Sequence, residues 1–354
     1  MLIDLFNHFH LTWRLLWDRR VNAWLKVFVI GLPVVYTLIP LPDDILPVIG
    51  LLDDVIFVGI CTLIFNALCP VSLVNEYRQM LRGQASGEWS NLDMYRYPNE
   101  RRDLAIGFAI LIGLIALPGY LAGVLALALF GLGYLTTRLM RSRMLGNAVQ
   151  VTPRQLPHLY RILEQTRQQL PPAQINLFVA QDPNMNAFTF GYDAPYSVVL
   201  TSGLVERLDE AEIKAVLGHE IGHVLFGHTR LINMMTGLGG WLRALFYLWN
   251  RSCEYSADAI ALMASDFRPE PAISMLLKLS SGLKDVQIDV QAFLDQVGAS
   301  NQAGSPPAEW IGTHPLVNNR IRRLVELARQ HAAAAQPQLP GSVARDTPLA
   351  DAPG

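Results

Sequence analysis

Residues 217–228 read LGHEIGHVLFGH. Three histidines and a glutamate stand in an otherwise apolar run, and polar groups of that kind are costly to bury without a partner. His219-Glu220-Ile221-Gly222-His223 has the spacing HExxH. In a helix, where each residue turns about 100°, His219 and His223 lie about 40° apart on one face and can hold one zinc ion together. Glu220 projects beside them, placed to act as general base on a water that the zinc activates. His228, nine residues after His219, points about 180° away on a continuous helix. That arithmetic excludes it as a partner of the pair and reads it as a helix-surface or helix-end histidine.

The surrounding residues support a helix. Asp209, Glu210 and Glu212 suit a helix N-terminus, and Ile213, Val216, Leu217, Ile221, Val224 and Leu225 recur at helical spacing on a face away from the two histidines. Gly218, Gly222 and Gly227 each weaken such a helix by up to about 1 kcal/mol, which points to a neighbouring backbone that has to come close. A catalytic zinc takes three protein ligands and keeps an open position. Downstream, NRSCEYSADAIALMA places Glu254 and Asp258 four residues apart on one helix face. Glu254 is the candidate third ligand, and Asp258 can hydrogen-bond a ligand histidine and fix its tautomer. The alternative is two surface acids on an otherwise apolar helix.

Four stretches taken together, NAFTFG (186–191), HEIGH (219–223), RSCEYSAD (251–258) and THPLVNNRI (313–321), resemble the motifs of the HtpX and CAAX-prenyl-protease family of membrane zinc metalloproteases, in that family's order, over roughly residues 95–330. The resemblance implies a mainly helical α+β fold, a zincin-type (gluzincin) protease domain with a small sheet, that binds one Zn2+ per chain through His219, His223 and Glu254. It implies Glu220 as the base and Asp258 behind the ligands. It also implies His314 as stabiliser of the oxyanion with Arg320 nearby, a task for which an imidazole and a guanidinium are suited. Asn186, Ala187 and Phe188 belong to a strand that can pair with an extended peptide substrate; Asn186 reads equally as a turn residue. Members of the family usually carry extra membrane helices between HExxH and the glutamate. Here only 30 residues intervene, and LINMMTGLGGWLRALFYLW (231–249) fits one surface-lying helix better than two spans.

The rest of the chain sets the context. Of 354 residues, 51% are hydrophobic and 16% charged, with a net charge of −2. That composition points to a membrane and offers no basic surplus for nucleic acid. Cys61, Cys69 and Cys253 form neither a disulfide framework nor a CxxC site, which suits a reduced, cytosol-facing environment. The N-terminus is not built like a cleavable signal peptide. Residues 104–135 run without a charge, longer than the roughly 20 residues a spanning helix needs. Pro118-Gly119 near the middle marks either a kink or a turn between two short helices. Arg101 and Arg102 before the run, and Arg138, Arg141 and Arg143 after it, favour a hairpin with both ends cytoplasmic, in a multi-pass protein of the cell's inner membrane.

Upstream, WLKVFVIGLPVVYTLIPLPDDILPVIGLLDDVIFVG (24–59) resembles the YkvA-like domain of unknown function, over about residues 13–65, and implies membrane association. Its acid pairs Asp43-Asp44 and Asp53-Asp54 read as helix caps in tight turns or as ion ligands. A further span at 55–74 is possible on hydropathy. The expected organisation is therefore a membrane-associated helical region (1–80), a connector (81–103), a transmembrane helix or hairpin (104–135), a zinc metalloprotease domain (150–330) and a disordered tail (331–354). Within the domain, LPHLYRILEQTRQQL reads as a helix, INLFVAQ, NAFTFG and YSVVLTSG as strands, and 296–310 as a loop. The reading that follows is a membrane-bound zinc endopeptidase acting on peptides or membrane proteins. A membrane adaptor with a structural zinc is disfavoured by an intact Glu220. A hydrolase of non-peptide substrates is disfavoured by the peptide-pairing strand.

Overall fold

The computed structural model describes residues 2–38, scattered positions between 58 and 77, and residues 92–116, 120–192, 194–235, 244–284, 292–293 and 314–335. The acid pairs at 43–44 and 53–54, the loop at 296–310 and the tail beyond 335 lie outside them. The helices are α1 (Leu2–Trp17), α2 (Ala23–Leu38), α3 (Glu100–Ala116), α4 (Tyr120–Asn147), α5 (Pro157–Gln169), α6 (Ser202–Arg207), α7 (Glu210–Leu225), α8 (His228–Met235), α9 (Tyr247–Ala264), α10 (Glu270–Ser281) and α11 (Val317–Ala335). The strands are β1 (Val149–Gln150), β2 (Ile175–Ala180), β3 (Ala187–Phe190) and β4 (Tyr196–Thr201). The α+β class with a small sheet is as expected. Helix α11 runs five residues past the boundary expected at 330, and His331 stacks on Phe267 at 3.5 Å between ring centroids.

The sheet has the order β1-β2-β4-β3. Strand β4 is buried throughout, pairs parallel to β2 and antiparallel to β3, and leaves β3 at the edge, against α7. Alternation along β3 divides its side chains: Phe188 and Phe190 join Phe178 and Val199 on one face, while Ala187 packs against the main core on the other. That core is shared by Ile162 of α5, Leu200 of β4, Leu217 of α7, Ile260 of α9, Leu276 of α10 and Ile321 of α11.

Helix α7 begins at a capping box. The Asp209 carboxylate accepts the Glu212 backbone N–H at 2.8 Å, and the Glu212 carboxylate accepts that of Asp209 at 2.8 Å. Lys278 and Ser274 of α10 donate to the same Glu212, so the cap also ties α7 to its neighbour. Further along, α7 lies against α9 almost backbone to backbone. A Cβ on Gly222 would stand 2.9 Å from the Cα of Ala257, and one on Gly218 would stand 2.6 Å from the Cβ of Ala264 and 2.9 Å from the Cα of Ala261. The two glycines accept their propensity cost because no side chain fits the crossing.

The apolar run at 104–135 is divided between α3 and α4, which pack against each other. No helix among the described residues is long and apolar enough to cross a membrane. Helix α3 has 17 residues and opens with Glu100, Arg101, Arg102 and Asp103, and α4 ends with Arg138, Arg141 and Arg143 in its last turns. The described part of 231–249 belongs to α8 and to the start of α9, with 236–243 outside the described residues. It is therefore not one surface-lying helix, and Phe246 and Trp249 are buried. The possible span at 55–74 includes Cys61, Phe65, Cys69 and Leu73, which are buried against Leu11 and Leu15 of α1.

Gly222→Ala gains up to about 1 kcal/mol of helix propensity, yet is expected to lower stability through overpacking, which costs about 1–3 kcal/mol. Gly131→Ala on α4, where a Cβ meets nothing within 4 Å, is expected to be neutral or stabilising. Chemical denaturation compares them; a Gly222→Ala protein as stable as Gly131→Ala would mean that the crossing is not close.

Candidate metal centre

The close crossing sets three side chains facing one another. His219 and His223 project from α7, and Glu254 from α9. His219 Nε2 lies 3.2 Å from His223 Nε2 and 3.5 Å from Glu254 Oε2, and His223 Nε2 lies 3.6 Å from Glu254 Oε1. Ligands bound to one tetrahedral zinc at about 2.0–2.2 Å lie roughly 3.3–3.6 Å from each other, so the three donors are spaced for one ion. The donor chemistry agrees. His219 Nδ1 is 3.0 Å from Asp258 Oδ1; its proton goes to that carboxylate, which leaves Nε2 a bare acceptor facing Glu254. Acceptors that face one another in this way make the group a candidate for holding a cation.

The charges around the triad point the same way. Burial opposes the ionisation of Glu254, but the Arg320 guanidinium and the imidazoles of His223 and His314 beside it outweigh burial and hold the carboxyl well below its usual range. Burial likewise opposes the ionisation of Asp258, and Arg320 and His219 lower it. His223 is pushed toward neutrality by burial, yet the Glu254 carboxylate beside it prevails and raises it.

Arg320 explains how two buried carboxylates coexist. Its Nε and Nη2 donate to Asp258 at 2.8 and 2.6 Å, and its Nη1 lies 3.2 Å from Glu254 Oε2. The sequence reading set Arg320 among the catalytic groups beside the oxyanion. The geometry sets it against both carboxylates, bidentate on Asp258 and beside the Glu254 that His314 also meets. His314 is on the open side: its side chain is 67% exposed and its Nδ1 lies 3.1 Å from Glu254 Oε1. The hydrogen bond to Glu254 raises its pKa above the ordinary histidine value.

Glu220 is buried, and its Oε2 accepts a 2.6 Å hydrogen bond from Thr189 Oγ1 of β3. Thr189 carried no signal in the sequence beyond its place in NAFTFG. Of the expected substrate-contact residues, Asn186 is exposed and its backbone N–H and C=O bond to Thr201. Ala187 is half-buried toward the core, and Phe188 points to the opposite face of the sheet from Ala187.

The angular argument about His228 does not hold. It assumed one continuous helix, but α7 ends at Leu225 and Gly227 adopts φ +78°, a left-handed turn that favours glycine. The chain turns back, and His228 Nδ1 comes within 3.1 Å of His223 Nδ1. On its other side His228 Nε2 is 2.9 Å from Glu100 Oε1. Glu100 is also bound by Arg96 and by the Ser256 hydroxyl, and Arg96 Nη2 donates to the Phe226 carbonyl at 3.2 Å. Burial pushes the His228 imidazole down to about 4. Nothing in the spacing of RYPNER (96–101) marks these residues, since their partners stand 128 positions away.

A model of peptidase family M48 matches residues 157–240 and 231–328. Plastoglobule-localized metallopeptidase 48 of Arabidopsis thaliana is 32% identical, over 56% of this chain and 64% of its own length. A protease HtpX homolog of Helicobacter pylori is 29% identical, over 47% of this chain and 64% of its own. Another HtpX homolog, from Streptococcus pyogenes, is 26% identical, over 40% and 50%. The chain spans less than two thirds of the length of these curated relatives. Residues 157–328, which carry the HEIGH helix and the Glu254 helix, thus match peptidase family M48, and HtpX homologues are among the relatives.

Proposed function

We propose that this domain is a zinc metalloendopeptidase holding one Zn2+ per chain on His219, His223 and Glu254. The observation that carries the reading is the donor triad spaced for a single tetrahedral ion with a buried glutamate, Glu220, on the same helix turn. Zinc at such a site supplies Lewis acidity, lowering the pKa of a water and polarising a carbonyl. Glu220 takes the proton from the attacking water and delivers it to the leaving amine. Thr189, donating to Oε2, holds that carboxylate in one orientation. His314, exposed beside Glu254 and drawn toward its charged form, donates to the oxyanion of the tetrahedral intermediate. Edge strand β3, from Ala187 to Phe190 with Asn186 at its start, takes the substrate as an added strand, so that recognition runs mainly through backbone hydrogen bonds.

The membrane belongs to the same proposal. The N-terminal region, including the YkvA-like stretch, and the α3–α4 pair set the domain on a lipid surface, with substrates drawn from peptides or membrane proteins and the catalytic domain on the cytoplasmic side of the cell's inner membrane. Supporting this, Trp13, Trp17, Trp24, Val27, Ile30 and Val34 of α1 and α2 are exposed, as are Ile106, Ile110, Leu132 and Leu135 of α3 and α4. Large apolar side chains in that number mark an interaction face, and exposed tryptophans suit a membrane–water interface.

Zinc analysis and casein cleavage, run on wild type beside Glu220→Gln, test the catalytic reading. About one zinc per chain is expected in both, with cleavage reduced by roughly 10²–10⁴-fold in the variant, the usual effect of removing a general base. A wild type without zinc after chelator-free purification would overturn the site, and equal cleavage would overturn the role of Glu220. Thr189→Val keeps the shape of the side chain and removes the hydrogen bond. It is expected to keep its zinc and lose about tenfold in kcat, equivalent to about 1.4 kcal/mol in the barrier; an unchanged kcat would remove Thr189 from the mechanism. In vesicle flotation, wild type should rise with the lipid and the Trp13→Ser, Trp17→Ser, Trp24→Ser triple variant should rise less. Equal flotation would take those tryptophans out of the membrane contact.

A further inference from the structure

A second group of metal-ligating side chains lies beyond the triad. Glu100, His228 and Cys253 are all buried, and one ligand atom from each stands within 4.8 Å of the others. A second metal ion is a poor occupant for it. Glu100 already has three partners, Arg96, His228 and the Ser256 hydroxyl. The Arg96 guanidinium at the same carboxylate supplies the positive charge a metal would bring. Burial raises the Cys253 thiol well above its ordinary pKa, so no thiolate is on hand. The group is a satisfied hydrogen-bond network, and one end of it touches a ligand of the proposed zinc.

We infer that Glu100 and His228 form a positioning relay that fixes the tautomer of His223 and so aims its Nε2 at the metal. The argument is a count of protons. Glu100, fully buried, accepts through Oε1 from the ring nitrogen of His228 that faces it at 2.9 Å, so Nε2 of His228 carries a hydrogen. A neutral imidazole has one such hydrogen, which leaves Nδ1 of His228 an acceptor. Among the described residues the group at that nitrogen is Nδ1 of His223, 3.1 Å away, and it is therefore the donor. With its hydrogen on Nδ1, His223 presents a bare Nε2 to His219 and Glu254. The opposite tautomer of His228 would set two N–H groups, or two lone pairs, against each other. The same end is reached for His219 by a shorter route, through Asp258 to Arg320; for His223 the route runs through His228 and Glu100 to Arg96. Partners of this kind in the shell around a metal raise ligand basicity and affinity. Here the far end of the relay is the first residue of α3, outside the segment that matches the family model.

The inference rests on the reading of His219, His223 and Glu254 as zinc ligands, and the experiment separates the two. Zinc affinity is measured by chelator competition on the full-length wild type, His223→Ala, His228→Phe and His228→Gln, with the absorption spectrum of the Co2+-substituted proteins as a second readout. Phenylalanine keeps the stacking on Phe226, whose ring lies 5.6 Å from that of His228, but neither accepts nor donates. Glutamine can accept from His223 and donate to Glu100. His228→Phe is expected to bind zinc about 10–100-fold more weakly than wild type with an altered Co2+ spectrum, and His228→Gln to recover most of that loss. Wild-type affinity and spectrum in His228→Phe, with His223→Ala still losing its metal, would overturn the relay and leave the ligand set standing. A wild type that binds no zinc would overturn both, and two zinc ions per chain with one lost in His228→Phe would make the cluster a metal site instead. Should His228→Phe fail to fold, 15N spectra of the histidine side chains in wild type decide the matter: a hydrogen on Nε2 of His228 supports the relay, and one on Nδ1 overturns it.

Discussion

Everything at this site depends on two helices that approach to backbone contact. Gly218 and Gly222 on α7 face Ala257, Ala261 and Ala264 on α9, with no room for a Cβ between them. That contact fixes the separation of α7 and α9 on one side of the crossing, and on the other side it leaves His219, His223 and Glu254 at 3.2–3.6 Å from each other. A larger residue at either glycine would widen the gap between helices and ligands together. The small-residue seam is thus both the packing solution and the device that sets the spacing of His219, His223 and Glu254, and the capping box at Asp209 with its ties to α10 holds α7 in register against it.

Electrostatics completes what packing begins. Two carboxylates one turn apart on α9, Glu254 and Asp258, are both buried, an arrangement that burial and mutual repulsion disfavour. Arg320 meets both of them, and a cation between the histidines would complete the balance. Charge is therefore arranged in layers around the site: acceptors on the inside, then carboxylates, then Arg320 and Arg96. Each layer fixes the orientation of the one within it, so the inner donors need little rearrangement when an ion arrives.

How much of this could be read from the chain depended on the distance over which a signal has to travel. The spacing of His219, Glu220 and His223, and that of Glu254 and Asp258, each follow from the period of a helix, and the structure brings the two histidines to Glu254 and Asp258. The three longer strands were legible from their composition and turns. His314 and Arg320 were reached only through resemblance, and the pairing of Arg320 with Asp258 and Glu254 came from the structure. His228 was misread because a period applies only while the helix lasts, and Gly227 ends it. Glu100, Arg96 and Thr189 gave no signal at all: their roles arise from contacts across the fold, and a lone acid in a polar connector looks the same whether or not a histidine will meet it. The apolar run at 104–135 was legible as two helices or one, and the structure divides it between α3 and α4.

The position of Arg320 also has a meaning in time. It stands 62 residues after the carboxylate it neutralises, and a chain leaving the ribosome presents HEIGH and then Glu254 and Asp258 well before α11 exists. Until α11 docks, the two acids lack their shared counter-charge, and the triad has no fixed third member. Helix α11, the last helix of the described residues, thus carries the guanidinium that Glu254 and Asp258 share, and the two buried acids gain that counter-charge only once the C-terminal end of the domain has been made.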